Sequence, residues 1–240
     1  NRSINFRNID IREKEKLSEL FDHYSISSVI HFAGYKAVGE SVENPMLYYS
    51  NNLKGSINLL EVMQEKGVKD LVFSSSCTVY GDSKSNPVTE EDVLNPTNPY
   101  GRTKLYIEQL LKDLSVSDND WHISSLRYFN PIGAHPSGML GEDPNGLPNN
   151  LLPFITQTAL GKRDCLNVFG GDYPTHDGTC VRDYIHVMDL AKGHISALES
   201  LENYNFEVFN LGTGIGYSVL DVIKTFEKVS GINIPYKIVE

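Results

Sequence analysis

Along the chain, short apolar runs alternate with stretches in which apolar residues recur every three or four positions. That alternation is the pattern of an α/β protein built on a parallel sheet. The spacing predicts a helix over Glu13–Tyr24, then a short buried strand at Ser28-Val29-Ile30-His31-Phe32 that ends at Ala33-Gly34. A long helix is expected from about Pro45, as a first-turn proline, to Lys66, where Gly67 stops it. Leu71–Ser74 reads as the next strand, Gly81–Thr97 as a polar loop with Pro87 and Pro96, Asn98–Leu114 as a helix and Ile123–Arg127 as a strand. From Phe129 to Asn149 the chain is rich in Gly, Pro and Asn and lacks periodicity, and such a long irregular stretch is usually functional. Helices over Leu151–Leu160, Val187–Leu201 and Val219–Ser230 and strands near Leu166–Phe169 and Phe206–Leu211 complete the reading. A boundary between two parts is expected near Tyr128, and no internal repeat is present.

Composition narrows the classes. The 240 residues carry a net charge of −10, which argues against a nucleic-acid or anionic-membrane surface, because both select for basic patches. A phosphate-bearing substrate needs only a few local cations and stays open. The three cysteines, Cys77, Cys165 and Cys180, form no CxxC pair and read as reduced thiols of a cytoplasmic protein. No apolar run approaches the ~18 residues of a membrane span, and Asn1-Arg2-Ser3 does not open a signal peptide. The seven histidines include no HxxxH or HxxE pair, so no metal site is expected.

Candidate chemistry centres on Tyr100-Gly101-Arg102-Thr103-Lys104 at a helix start. Residues four apart share a helix face, so Tyr100 and Lys104 project together. A free tyrosine, with a pKa of ~10, is a poor base at neutral pH. A nearby ammonium favours the phenolate, and a second cation adds to that; bringing the pKa to about 7 takes ~4 kcal/mol of differential stabilisation. An ordinary helix with an exposed Tyr and Lys carries the same letters. The upstream Phe73-Ser74-Ser75-Ser76 separates the readings, because it runs off the carboxyl end of a strand, where open α/β sheets bind ligands. A serine there can relay a proton to the phenolate, although serines at a strand end also bond backbone.

Strand, serine, loop and Tyr-x-x-x-Lys in this order resemble the short-chain dehydrogenase/reductase superfamily, in its extended form. The chain resembles the UDP-galactose 4-epimerases (UDP-glucose 4-epimerases) within it. His31–Ser41 is similar to their HFAGxKAVGES, Phe73–Gly81 to FSSSATVYG, Arg127–Gly138 to RYFNPxGAHPSG, Gly141–Asn150 to GEDPxGxPNN, and Arg182–Asp189 to RDYIHVxDL. These stretches are long, in family order, and span nearly the whole chain.

The resemblance implies a Rossmann-type doubly wound parallel sheet over residues 1–128 that binds NAD. It also implies a smaller α/β domain over 129–240 that binds the UDP-sugar, with 183–211 packing back on the first. It implies reversible NAD-dependent epimerisation of UDP-galactose and UDP-glucose at C4 through a 4-keto intermediate, by a homodimer joined through the helices at Pro45–Lys66 and Asn98–Leu114. Residue by residue, Ser76, Tyr100 and Lys104 are the implied catalytic groups. Asp10, Ile11, Phe32, Ala33, Gly34, Lys36, Asn51, Ser74, Tyr100, Lys104, Tyr128, Phe129 and Pro131 match cofactor positions. Lys36, Ser76, Thr78, Tyr100, Asn130, Asn150, Leu151, Asn167, Val168, Phe169 and Arg182 match the substrate site, Arg182 gripping the diphosphate. Plainer roles exist for three of them: Asn150 as a helix cap, Phe169 as core, and Arg182-Asp183 as a surface ion pair.

The neighbouring possibilities are a 4,6-dehydratase or decarboxylase of the same superfamily, and a non-catalytic NAD-dependent binding or regulatory protein. A dehydratase needs an acidic residue just after the active-site serine, where this chain has Cys77-Thr78-Val79-Tyr80. A regulatory protein fits a broken triad, and all three residues are present. Gly212-Thr213-Gly214-Ile215-Gly216 follows a strand like a dinucleotide fingerprint but lacks the third glycine at the right spacing, so it reads as a tight turn. Tyr35, Cys77 and Arg102-Thr103 replace the family's Leu, Ala and Lys-Ser. The first βαβ segment with its glycine-rich turn, roughly 45–50 residues of such a fold, and the end of the substrate domain are absent. The segment is therefore expected to belong to a longer polypeptide and not to bind NAD tightly by itself; an intact source protein near 27 kDa would contradict that.

Overall fold

The computed structural model describes residues 4–83 and 85–239. Asn1, Arg2 and Ser3 of the chain opening, Lys84 of the polar loop and Glu240 lie outside the described residues. Contacts divide the chain into two compact units, residues 1–128 with 193–210, and residues 129–192 with 211–240.

The first unit is a parallel α/β sheet. Its elements are α1 (Lys14–His23), β1 (Ser28–His31), α2 (Val38–Glu43), α3 (Pro45–Tyr48), α4 (Gly55–Glu65), β2 (Asp70–Ser76), α5 (Pro99–Ser117) and β3 (His122–Tyr128). Strands lie in the order β1-β2-β3 and then the later strand Phe206–Leu211. β1 pairs parallel with β2 from Ser28↔Asp70 to His31↔Phe73, and β2 parallel with β3 from Asp70↔His122 to Ser76↔Tyr128. Parallel neighbours require crossovers, which the helices supply. β2 is buried at every position from Leu71 to Ser76, as expected of a strand covered on both faces. The core joins Leu17 of α1, Leu59, Leu60, Val62 and Met63 of α4, Phe73 of β2, Ile107 and Leu111 of α5, and Trp121. Each such side chain contributes ~1.5–3 kcal/mol on burial, so the end of β2 and the start of α5 rest on a rigid base.

The helix expected as one piece from Pro45 to Lys66 differs in detail. Pro45 does open it, but between α3 and α4 residues Tyr49–Lys54 form a π turn in continuous right-handed helical backbone. A π turn inserts one residue, which a 3.6-residue period does not reveal. It turns Asn52 inward, where only 1% of the residue is exposed.

The second unit contains β4 (Asn130–Ile132), α6 (Leu151–Ala159), β5 (Leu166–Phe169), β6 (Val181–His186), α7 (Val187–Glu199, whose first turns belong here), β8 (Gly216–Ser218), α8 (Val219–Ser230) and β9 (Tyr236–Val239), with Phe206–Leu211 numbered β7. β4 pairs parallel with β6, β6 antiparallel with β8, and β5 parallel with β9. Ile155, Leu166, Val168, Ile223 and Ile234 form its core. Ser218 and Asp221 make a reciprocal capping box at the start of α8. The strands β4, β6, β8 and β9 were not legible as strands: three to six residues long, they owe their conformation to distant partners rather than to a local period.

Candidate active site

β2 ends in Ser74-Ser75-Ser76 and passes at once into a 3₁₀ turn, Cys77–Tyr80. α5 starts beside that turn. Asn98 caps it, its side chain accepting from the Gly101 N–H at 2.8 Å, and Pro99 occupies the first turn. Gly101 is required by proximity: a Cβ there would lie 2.9 Å from Pro96 Cβ and 3.0 Å from the Thr78 carbonyl oxygen. The helix start therefore sits directly on the turn that follows Ser76.

That contact brings the expected catalytic residues together. The Lys104 ammonium donates to the Ser74 carbonyl at 2.6 Å and lies 5.9 Å from the Tyr100 ring centroid and 4.9 Å from that of Phe73. Ser76 Oγ accepts from the Thr78 N–H at 3.2 Å and from Thr78 Oγ1 at 3.0 Å, and Ser76 favours the ionised form of the Tyr100 phenol. The Thr78 bonds occupy the acceptor side of Ser76 and leave its proton available.

Burial pushes the Tyr100 phenol up from its ordinary value, and Ser76 only partly opposes this. Burial also pushes Lys104 down to about 8, against the pull of the Glu108 carboxylate. In the protein alone desolvation therefore outweighs what favours the phenolate of Tyr100.

The loop after β1 is held open as a cradle. Phe32, Ala33, Gly34 and Lys36 are all exposed on it. Asn52 accepts from the Tyr35 N–H at 2.8 Å and donates to the Tyr35 carbonyl at 2.9 Å, closing two bonds on one residue's backbone. Asn51 donates to Asn52 at 3.0 Å. A Cβ on Gly34 would meet Asn52 Oδ1 at 3.2 Å, so a side chain there would crowd the asparagine that shapes the loop. His194 packs its ring 4.8 Å from that of Phe32 and bonds the Tyr128 hydroxyl. Burial raises the Tyr128 phenol well above its usual value. Asp10 is fixed by its own neighbour: Arg12 donates from Nη2 at 2.6 Å and from Nε at 3.0 Å, holding the carboxyl at about 2. Ile11 packs against the core of this unit.

The expected residues of the second unit are placed as follows. Phe129 precedes β4, and its ring closes on Gly212, where a Cβ would lie 2.8 Å from Cδ2. Asn130 and Pro131 are on β4. Asn150 stands at the start of α6 without capping it by its side chain, which donates instead to Glu142 at 2.5 Å; Leu151 packs on the core. β5 alternates, with Asn167 and Phe169 exposed and Leu166 and Val168 buried. Phe169 is therefore not core, whereas the Val168 side chain is, 1% exposed, which leaves only its backbone open to a ligand. Arg182 is exposed and donates to the Val181 carbonyl at 2.9 Å. Asp183 turns away to accept from Thr213 N, Thr213 Oγ1 and Gly214 N at 2.7–3.0 Å. The glycine-rich turn therefore wraps a carboxylate of its own unit, in keeping with the turn read from its spacing.

Four residues escaped the sequence reading: Asn52, Glu108, Arg127 as an ion-pair partner, and His194. Glu108 left a signal, an acidic residue one turn beyond Lys104 on a face that is otherwise buried. The others depend on contacts distant in sequence. A hollow of about 410 Å³ bounded by Ile4, Phe6, Arg7, Leu20, Tyr24 and Ile26 includes none of the site residues. His176, Asp177 and Asp221 bring three ligand atoms within 4.8 Å, but both carboxylates are engaged by Ser218 in the cap of α8.

The geometry gathers Ser76, Tyr100 and Lys104 at one strand end, and comparisons with known proteins identify the family. The model of the NAD dependent epimerase/dehydratase family matches residues 1–212, and the chain belongs to that family. The UDP-glucose 4-epimerase of Bacillus subtilis is 56% identical over 237 residues, which cover 98% of this chain and 70% of the relative. The Homo sapiens UDP-glucose 4-epimerase is 56% identical over 240 residues, 99% of this chain and 69% of the relative. Among solved structures, the UDP-glucose 4-epimerase of Bifidobacterium longum in complex with NAD+ and UDP superposes with a TM-score of 0.96 at 51% identity, covering 99% of this chain and 71% of that one.

Proposed function

We propose that the protein interconverts UDP-galactose and UDP-glucose by NAD-dependent epimerisation at C4 through a 4-keto intermediate. The observation that carries this reading is the buried Ser76–Tyr100–Lys104 cluster in a chain 56% identical to UDP-glucose 4-epimerases. The residues present fit a dinucleotide. Asn52 holds the exposed Phe32–Lys36 loop in shape, and Gly34 leaves no Cβ in it. NAD, when bound, supplies the acceptor and donor of the C4 hydride and a positive ring.

Tyr100 takes the proton of the sugar 4-hydroxyl and later returns it from the other side of the turned-over ketone. Thr78 occupies the acceptor side of Ser76, which favours direct transfer to the phenolate over relay through the serine. Lys104 supplies charge and anchors to the Ser74 carbonyl. Arg182 pairs with the substrate diphosphate, so that the ketone stays bound while the sugar end rotates. No carboxylate follows Ser76 in the Cys77–Tyr80 turn, which favours epimerisation over dehydration.

The proposal extends to a homodimer in the cytoplasm. Val42, Met46 and Tyr106 expose 61%, 75% and 42% of their surface on α2, α3 and α5, an apolar face suited to a second copy. Cys77, Cys165 and Cys180 form no disulfide, and among the described residues no helix is long and apolar enough to cross a membrane. The test is conversion of UDP-galactose to UDP-glucose by the complete protein, with sedimentation to give its mass. Absence of turnover in folded, NAD-loaded protein overturns the assignment.

A further inference from the structure

Tyr100 and Lys104 are two steps of a longer ladder. Glu108, one turn further along α5, is 4% exposed, and all its partners are buried. Its Oε1 accepts from Ser75 Oγ, from Ser125 Oγ at 3.1 Å and from Arg127 Nε at 3.1 Å, and its Oε2 accepts from Arg127 Nη2 at 2.7 Å. The Ser74-Ser75-Ser76 strand end is thereby stitched to one helix at two successive turns beyond Tyr100: the Ser74 carbonyl to Lys104, and Ser75 to Glu108. Arg127 carries the network outward, donating to the Tyr80 hydroxyl at 2.9 Å and the Glu90 carbonyl at 3.2 Å.

We propose that Glu108, clamped by Arg127, is a positioning residue for the reaction, fixing α5 against the serine strand and setting its carboxylate one helical turn from Lys104, beside Tyr100. The inference rests on the reading of Tyr100 as the base. A buried ion pair is weak evidence for stability in itself, since hydrophobic replacements are often no worse. A charge one turn from an ammonium that burial would otherwise neutralise has a specific use. Burial drives Lys104 down to about 8, and Glu108 is the neighbour that pulls it back. The other groups facing Lys104 do not supply that pull. Burial holds His31 down to about 3 and so neutral, Tyr128 is kept protonated, and Arg127 is positive and committed to Glu108.

The test compares kcat and KM against pH in the complete, NAD-loaded protein for the wild type, Tyr100→Phe, Glu108→Gln, Glu108→Asp and the paired Glu108→Gln/Arg127→Gln. The alkaline limb of kcat reports loss of the ammonium. In Glu108→Gln, where the positive Arg127 stays behind, it moves down by at least about one pH unit, and in the pair it moves down by less, because the opposing Arg127 charge is removed together with that of Glu108. KM stays within about twofold, and Glu108→Asp keeps the wild-type limb. An unshifted limb in a folded Gln variant overturns the inference, as does failure of both Gln variants to fold while Glu108→Asp folds, which marks a structural role alone. An inactive wild type would instead overturn the proposed function, and an unaffected Tyr100→Phe would overturn the base on which the inference rests.

Discussion

Replacing Gly101 with alanine tests whether the contact between α5 and the turn after Ser76 sets the catalytic geometry. Two effects oppose each other. Alanine favours a helix interior over glycine by ~1 kcal/mol. The added Cβ, however, would lie 2.9 Å from Pro96 Cβ and 3.0 Å from the Thr78 carbonyl oxygen, one a rigid ring and the other backbone. Overpacking of this kind costs ~1–3 kcal/mol, so net stability falls by ~0–2 kcal/mol and the protein still folds. The relief must come from the first turn of α5 moving off Thr78 by a few tenths of an ångström, and Tyr100 is on that turn. Because Thr78 also holds Ser76 at 3.0–3.2 Å, the shift moves Tyr100 relative to Ser76 directly. Misplacement of a reacting group by ~1 Å costs up to ~10²-fold, and a smaller shift predicts a ~10-fold loss in kcat with KM for UDP-galactose little changed. Steady-state kinetics beside urea unfolding separates the two readings. Wild-type kcat in Gly101→Ala refutes the reasoning, and a loss confined to KM refutes it equally, since nothing in the contact touches the nucleotide end.

Two further predictions follow from buried or partly buried groups. His31, bonded to Ser56 at 2.8 Å, is held down to about 3 by burial and the nearby Lys104, well below its unfolded value. The unfolded chain therefore binds a proton that the native state refuses, and stability falls as pH drops from 6.5 toward 3; by pH 5 this one group costs ~2 kcal/mol, and His31→Asn flattens that part of the urea-midpoint profile. Cys77 sits half-buried next to Ser76 and acts electrostatically on Tyr100, so its alkylation lowers kcat and Cys77→Ala removes the sensitivity; full activity after exhaustive alkylation excludes this.

The sequence made the chemistry of α5 and the serine strand legible, because the four-residue spacing of Tyr100 and Lys104 fixes a shared face and β2 is apolar from Leu71 to Phe73. It did not reveal the π turn, since one inserted residue leaves the apolar count of the helix nearly unchanged and only the inward turn of Asn52 records it. Nor did it reveal that burial works against the Tyr100 phenolate, because desolvation depends on what covers a residue and not on its neighbours in the chain. Asn150, Phe169 and Arg182 each had a plainer structural role available. The Glu142 bond of Asn150, the exposure of Phe169 and the turning away of Asp183 set those roles aside, whereas the alternation of β5 sends the Val168 side chain inward.

Replacing Tyr100 with phenylalanine removes one oxygen and leaves the packing of the residue in place. With the complete protein loaded with NAD, the kcat of UDP-galactose conversion falls ~10²–10⁴-fold, as loss of a general base requires, while UDP binding stays unchanged. A folded Tyr100→Phe protein that turns over within a few-fold of the wild type would mean that the proton leaves the sugar by another route.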